Sequence, residues 1–526
     1  MTASTPTRSR PGMRVGHDSF AELLRAEWTK FRTVRGWVIG MVVAALVTVL
    51  VGLLGPAGTN ISCNGPSGRA CRHTPPLGPG GEPVTDSFYF ARKQLAGNGG
   101  ITVRLTSLTG LYPPHGIGQG GQDMTPGVQP WSKAGIILKE STRQGSAYAA
   151  MMVTGGHGVR MQYNYTHDAA GLAGAVSAAS PRWLRLTRSG PTVTGYDSAD
   201  GTHWTRVGTA TLPGLPSTLQ AGMFAASPSY MVVTQHFGGS IGTGGPTLAT
   251  ARFDHIGLHG TWSPGAWTGS DIGGQGRPFE LRTGFRQASG GFTVTGSGDI
   301  APQLAGDGTL SKTIDSTLVG VFAGLIAVIV VATMFITAEY RRGLIRTTLA
   351  ASPRRGRVLA AKATVIGSVA FVAGLAAALI AVPLVTAVEN AKGIYMFPVA
   401  PLTELRVIAG TAALVAVAAV LALAVGTILR RSAGAVTAVI VAIVLPYILA
   451  TASLLPAGPS EWLTRFTPAA AFAIQQTTPQ YPQVSASYTP ADGYFPLAPW
   501  VGFAVLCAWA AAALGLAVFV LRRRDA

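Results

Sequence analysis

Six long stretches of this chain are almost free of charge, and they limit what it can fold into more than any other feature. They are Trp37–Gly55, Ser316–Thr337, Ala363–Val388, Leu405–Leu429, Ser432–Leu455 and Pro499–Leu521, each 19 to 26 residues long. A helix needs ~20 residues to cross the ~30 Å hydrocarbon core of a bilayer. Apart from Arg406 at the very start of the fourth, the runs hold no Asp, Glu, Lys, Arg or His. Six membrane-spanning helices are therefore expected. The first run follows a 36-residue leader and no A-x-A site follows it, so a retained anchor is expected rather than a cleaved signal peptide.

Orientation follows from the basic residues. Arg8, Arg10, Arg14, Arg25, Lys30, Arg32 and Arg35 precede the first run. Arg341, Arg342, Arg346, Arg354, Arg355, Arg357 and Lys362 lie in 338–362, and Arg430, Arg431 and Arg522 to Arg524 border later runs. Opposite them, loops 389–404 and 456–498 offer only Lys392 and Arg465. The positive-inside rule makes the basic side cytoplasmic, with both termini there and 56–315 extracytoplasmic in a multi-pass bacterial plasma-membrane protein. The formal charge of +18 thus sits beside membranes, which argues against nucleic-acid binding. Charged residues make up 12% of the 526, half the ~25% of soluble domains. Three Cys exclude a disulfide framework.

Residues 1–17 read as a disordered cytoplasmic tail, and 18–36 as an interfacial elbow helix. Ser19 and Glu22 have capping-box spacing. Phe20, Leu23, Leu24, Trp28 and Phe31 form an apolar stripe, with Glu22, Arg25 and Arg32 opposite. Glu27 projects into that stripe. Two readings stay open: snorkelling at the headgroups, or an ion pair with a basic residue of 338–362.

Residues 56–315 change character. Period-two alternation recurs at 101–106, 159–165 and 292–295, separated by turns such as Gly155-Gly156, Ser189-Gly190-Pro191 and Asp200-Gly201. Trp183 to Val207 reads as a three-stranded meander. The expected fold class is an all-β sandwich or jelly roll, with its core at about 83–300, placed between the first and second spans. Trp131-Ser132-Lys133-Ala134-Gly135-Ile136-Ile137-Leu138-Lys139-Glu140, Pro181 to Arg188 and Tyr196 to Trp204 resemble strands of concanavalin-like, laminin-G-like accessory domains. That resemblance implies a jelly roll acting as a glycan binder or a spacer, and a cell-wall or glycan ligand is one expected partner. Tyr163, Tyr165, Trp183 and Trp204 are the candidate sugar platform, against the alternative that they are core. Catalysis is not expected. No paired-carboxylate strand of the E-x-D-x-x-E kind occurs, Gly238-Gly239-Ser240-Ile241-Gly242 matches G-x-S-x-G without the strand-to-helix setting of a nucleophile elbow, and His157, His167, His203, His236 and His255 lack metal-site spacing.

The stretch Glu339 to Lys362 contains seven basic residues and cannot lie in lipid. Its pattern predicts a short helix from about Leu344, then a second with Ser352 as cap and Pro353 at its first position. A basic loop bound to anionic lipid is the alternative. Together with Ala26-Glu27-Trp28-Thr29-Lys30-Phe31-Arg32-Thr33 and Arg465-Phe466-Thr467-Pro468-Ala469-Ala470-Ala471-Phe472, this stretch resembles the membrane subunit of type-2 ABC exporters. The resemblance implies an elbow helix marked by Glu27, Trp28 and Lys30, and partly re-entrant helices in 456–498. It also implies an ATPase-coupling segment at 338–362 with Glu339, Arg341, Arg342, Leu344, Ile345, Arg346, Leu349, Pro353, Arg354 and Arg355. It further implies a dimer with a second permease copy or paralogue and two ABC ATPase subunits.

No G-x-x-x-x-G-K-[ST] loop exists in the chain, so no cofactor is expected in it; ATP and Mg would sit on the partner ATPase. The overall expectation is a six-helix transmembrane domain (37–55, 316–337 and four spans in 363–526) with an inserted all-β domain. A permease subunit is the functional reading, with an ABC-type mechanotransmitter or a membrane-anchored glycan-binding protein as alternatives. Cys63 and Cys71 have seven residues between them in an oxidising exterior, so a local disulfide is expected, while Cys507 stays a free thiol inside the last run. Alkylation of the non-reduced protein followed by mass spectrometry should leave Cys63 and Cys71 unmodified; labelling of both would exclude the bond.

Overall fold

The computed structural model describes residues 20–58, 74–114, 124–236, 239–274, 282–288, 290–305, 311–344, 354–452, 454–486 and 488–523. The proposed Cys63–Cys71 pair, the 1–17 tail and Ile345, Arg346, Leu349 and Pro353 lie outside them.

The apolar runs form helices. α1 (Phe20–Thr33) leads at Val34 into α2 (Arg35–Gly58). After the strands come α3 (Val321–Arg341), α4 (Arg355–Ala391), α5 (Pro401–Leu429), α6 (Ser432–Thr451), α7 (Ala457–Phe466) and α8 (Pro499–Arg523). Among the described residues, six of these helices are long and apolar enough to cross a membrane, α1 and α7 being the two that are not. They share one apolar core, including Leu325, Phe335, Ile366, Leu414, Leu423 and Leu506. α2 and α3 cross closely because Gly320 and Gly324 carry no Cβ, which would collide with the Thr48 carbonyl and hydroxyl. Between α7 and α8 a 3₁₀ stretch, Pro468–Gln475, is buried throughout.

One boundary differs from the sequence reading. Residues 355–362 do not form a separate coupling helix but belong to α4, 37 residues long. Nothing between Arg355 and Ala363 breaks a helix, and Ala360 and Ala361 favour one. At ~1.5 Å per residue such a helix reaches ~55 Å, well beyond a bilayer core.

Strands fill the chain between α2 and α3. Most belong to one 14-stranded sheet folded into two layers by β2 (Phe88–Tyr112). The first half of β2 pairs with β11 (Thr218–Ala226) and β15 (Thr268–Ile272). Beyond β11 follow β4 (Lys133–Lys139), β5 (Tyr148–Thr154), β6 (Val159–Tyr163) and β7 (His167–Ala170). The second half pairs with β8 (Arg182–Ser189) and β14 (Leu248–Trp262). β9 (Thr192–Ser198) and β10 (Thr205–Thr211) continue from β8, and β17 (Gly291–Gly296) and β16 (Gly284–Ala288) continue from β14. Gly97, at φ +67°, lets β2 pass between layers in a conformation open to glycine. β3 (Thr125–Pro126) caps the end of β2, and β12 (Tyr230–His236) with β13 (Gly239–Gly245) forms a separate hairpin. The expected meander is β8–β9–β10. Leu105, Ile136, Met151, Leu184, Val193 and Met223 fill the space between layers.

A second core lies on the other face of the first layer. There β1 (Val84–Asp86) pairs with β18 (Ile300–Pro302), bringing the two ends of the β region together. β4 is buried on both faces, and its alternate residues Lys133 and Lys139 point toward these strands. Lys139 Nζ donates to Asp86 Oδ2 at 2.8 Å, and Lys133 Nζ to Asp299 Oδ1 at 2.6 Å. Tyr165 also donates to Asp86 Oδ2, at 2.8 Å. Burial, reinforced by the adjacent Asp86 carboxylate, pushes the Tyr165 phenol far up, so it remains a donor. β19 (Ser311–Lys312) then pairs in parallel with β20 (Tyr395–Met396).

Lys139→Met should strand the Asp86 carboxylate in the core and destabilise the β region by about 3–5 kcal/mol. Urea unfolding followed by tryptophan fluorescence checks this, and an added Asp86→Asn change should recover part of the loss. Equal stability of Lys139→Met and the parent chain would contradict the pairing.

Candidate functional site: a buried ionic clamp

The apolar stripe of α1 turns Phe31 inward, and Glu27, one turn earlier, goes with it. Phe31 meets Phe335 edge-on at 6.0 Å, and Trp37 meets the same ring at 5.0 Å. This contact seats α1 against the end of α3, where Glu339 emerges. Lys362 arrives from the first turns of α4. Its Nζ donates to Glu27 Oε2 at 2.7 Å and to Glu339 Oε1 at 2.6 Å, 5.0 Å from the centre of the Phe335 ring. Lys30 closes the cluster, donating to Glu27 Oε1 at 2.9 Å and Glu339 Oε1 at 3.2 Å.

Two carboxylates and two ammonium groups leave no net charge. The Lys362 side chain is 1% exposed and that of Glu27 is 3% exposed, whereas Lys30 stands at the rim. Burial lowers the Lys30 pKa, but Glu27 and Glu339 outweigh it and leave the group raised. Of the two readings for Glu27, the ion pair is the one the geometry contains, and its partner Lys362 lies in the basic segment.

The clamp joins three helices around an exposed edge. Arg341, the last residue of α3, and Arg342, Gly343 and Leu344 after it are all exposed, as are Arg354 and Arg357 before and within α4. Arg355 donates to the Leu521 carbonyl of α8. Arg430, left-handed at φ +55° in the tight α5–α6 turn, lies over Tyr340 at 5.2 Å. The same end of the bundle therefore gathers the termini of α1, α3, α4, α5 and α8. Trp28 is 48% exposed beside the buried Phe31.

Sequence reasoning missed the polar groups at the other end. Glu389, buried near the end of α4, accepts from Lys312 at 2.6 Å. Asp315 accepts from Thr477 at 2.8 Å. Both acids stand at the edges of apolar runs, where a single carboxylate reads as a headgroup residue. Cys507 is a free thiol in α8.

The four candidate platform residues do not share a surface. Tyr165 is fully buried and bonded to Asp86, which removes it from any platform. Tyr163 stacks on His167 at 4.3 Å in the first layer. Trp183 and Trp204 belong to the second layer, separated from Tyr163 by the core. Strand alternation alone could not tell which of the two cores each aromatic residue enters.

Lys362→Met should leave Glu27 and Glu339 facing each other without a buried cation, at a cost of about 3–5 kcal/mol. In detergent the variant should melt earlier and admit protease between α1 and α2. Adding Glu27→Gln and Glu339→Gln should restore much of the stability. No loss in the single variant would refute the clamp.

A family model described as ABC-2 family transporter protein matches residues 208–526, more than half of the chain. Glu339 and Lys362 fall inside that range, and Glu27 precedes it. No curated protein matches the chain. A solved structure of a functionally unknown protein from Saccharomyces cerevisiae is similar at 17% identity, with 34% of this chain and 77% of that one covered and a TM-score of 0.19. Two structures of scytalido-glutamic peptidase with transition-state analogues match at 9% and 10% identity. Each covers 40% of this chain and 98% of its own, with TM-scores of 0.24 and 0.22. At those values neither fold nor function carries over from them. The family match and the six apolar helices agree: the chain belongs to the ABC-2 family of transporter proteins.

Proposed function

We propose that this chain is the permease subunit of an ATP-driven exporter, forming a membrane path as a dimer and driven by separate ATPase subunits on the cytoplasmic side. The observation that carries this reading is the Glu27–Lys362–Glu339 clamp beside the exposed residues Arg341 to Leu344 and Arg354. Hydrolysis must come from another chain, since no phosphate-cradling loop exists in this one. A push on residues 341–357 by a closing ATPase reaches α1, α3 and α4 together, because the clamp makes their ends one body. Moving those helices as a unit exchanges inward- and outward-facing arrangements of the path. Exposed Leu344 and Arg342 are the first contacts for the partner, with Leu349 and Arg346 in the same segment.

A second reading, transmission of that movement to an extracytoplasmic β domain, has its own support. Gln483, between α7 and α8, donates to the Tyr165 and Thr166 carbonyls at 3.3 Å. Ala301 and Leu304 pack with Val484 and Tyr494. Stimulation of ATPase activity by a transported compound in liposomes favours export, and its absence favours transmission.

Leu344→Ala with Leu349→Ala should lose the co-purifying ATPase while the protein still inserts in the membrane, since buried interface anchors commonly contribute ~2 kcal/mol or more each. Neutralising Arg354, Arg355 and Arg357 should weaken it less. Retained assembly in the alanine pair, with loss only in the arginine set, would reassign the segment to lipid binding.

A further inference from the structure

The outward face of the second β layer carries an ordered set of arginines. Leu184, Leu186, Val193, Ala251, Phe253 and Val294 point into the core, so the intervening residues point away from it. Cross-strand register places them. Arg206 of β10 faces Tyr196 of β9, which faces Arg185 of β8. One step along, Trp183 of β8 faces Arg104 of β2, which faces Asp254 of β14. Another step along, Arg252 of β14 faces Thr293 of β17, which faces Arg286 of β16. Five strands thus contribute one arginine each along a diagonal. With strands ~4.8 Å apart and ~7 Å per two-residue step, the diagonal is about 30 Å long.

Charge on this face is one-sided. Asp254 is the one carboxylate at an outward position of these strands, and Arg104 already holds it through two 2.7 Å bonds. Among the described residues, Arg185, Arg206, Arg252 and Arg286 pair with no carboxylate. Arg206, Arg252 and Arg286 are exposed. Aromatic rings stand between the cations. Arg185 lies 3.8 Å from the centre of the Trp204 ring, and Arg104 lies 5.7 Å from that of Trp183. The close contact with Trp204 positions the Arg185 guanidinium, whose Nε also donates to Thr102 Oγ1 at 3.2 Å, with donors left over.

We propose that this diagonal is a binding track for a linear acidic polysaccharide. Carboxylate or phosphate groups meet the guanidinium forks, and the Trp183, Tyr196 and Trp204 rings take sugar faces between them. A single compact anion would use one or two of the arginines, whereas four arginines without a carboxylate partner, strung out on either side of the Arg104–Asp254 pair, suit an extended acidic chain. Polysaccharide is chosen over nucleic acid because this region is extracytoplasmic in the proposed function, on which that choice rests. Two of the four aromatic residues singled out in the sequence lie on the track, joined by arginines that alternation had left as solvent-facing polar positions.

The test uses the full-length protein in detergent, with binding measured by thermophoresis at low and moderate salt. Probes are polygalacturonate, a sugar-phosphate polymer, inorganic polyphosphate, oligo-dT and neutral dextran. Binding of polygalacturonate or the sugar-phosphate polymer, weakened by salt, is expected, and the stronger of the two identifies the anionic group. Arg185→Gln with Arg206→Gln and Arg252→Gln should weaken it roughly tenfold or more, with a shallower salt dependence. Arg143→Gln, in the β4–β5 turn, should leave it unchanged. Trp204→Ala should weaken the sugar polymers but not polyphosphate. An unchanged melting temperature of Arg206→Gln alone, with weaker binding, separates loss of ligand contact from misfolding. Oligo-dT binding tighter than both sugar polymers, equal binding of dextran, or full affinity in the triple variant would each overturn the track. ATPase stimulation is read separately, so failure of the track and failure of the transport reading are distinguishable.

Discussion

A lysine ammonium enclosed by protein at the end of a helix bundle is tolerable only if opposite charge surrounds it. Lys362 meets that condition with one carboxylate from α1 and one from α3, and both distances are below 3 Å. Neither acid would be tolerable there without it. The interdependence fixes the depth of α1, the end of α3 and the start of α4 relative to one another. Apolar packing of Phe31, Trp37 and Phe335 brings these helices together but does not set their register. Hydrophobic contact is forgiving by an ångström or two, whereas a shared ammonium between two carboxylates is not.

The β region solves its attachment by the same chemistry. β1 and β18, its two ends, run side by side across the first layer, and a lysine of β4 grips an aspartate beside each. Lys133 and Lys139 are among the largest fully buried side chains. A flexible tether would have no use for two such costly pairs. They hold the entry and exit strands at fixed positions on the domain, close to the loop that supplies Gln483.

The two β layers have unlike surfaces. The first is covered by its own end strands, which bury Tyr148 and Tyr165. The second leaves its outward face to solvent, with arginine and tryptophan in alternation. A sequence of alternating residues reads identically in the two cases, since both β6 and β8 alternate. What separates them is whether a third layer lies on top.

Six membrane helices, their approximate limits and a β-rich region between the first two were legible in the sequence, because hydropathy and strand alternation are local properties of ten to twenty neighbouring residues. The β8–β10 meander was legible for the same reason, its turns lying within a few residues of its strands. A helix before the first apolar run was legible too, and Glu27 stood out as misplaced in its stripe. Its partner was not, since Glu27 and Lys362 are 335 residues apart and several basic residues of 338–362 could have reached it. Equally hidden was the pairing of Lys139 with Asp86. The diagonal of arginines drawn from five strands was also invisible, because register across a sheet is set by long-range pairing. The sequence by itself determined which segments could enter lipid and which could form sheets. Only the tertiary structure decided which charges share a site, because the energy of a buried ion depends on what stands within a few ångströms of it and not on its neighbours in the chain.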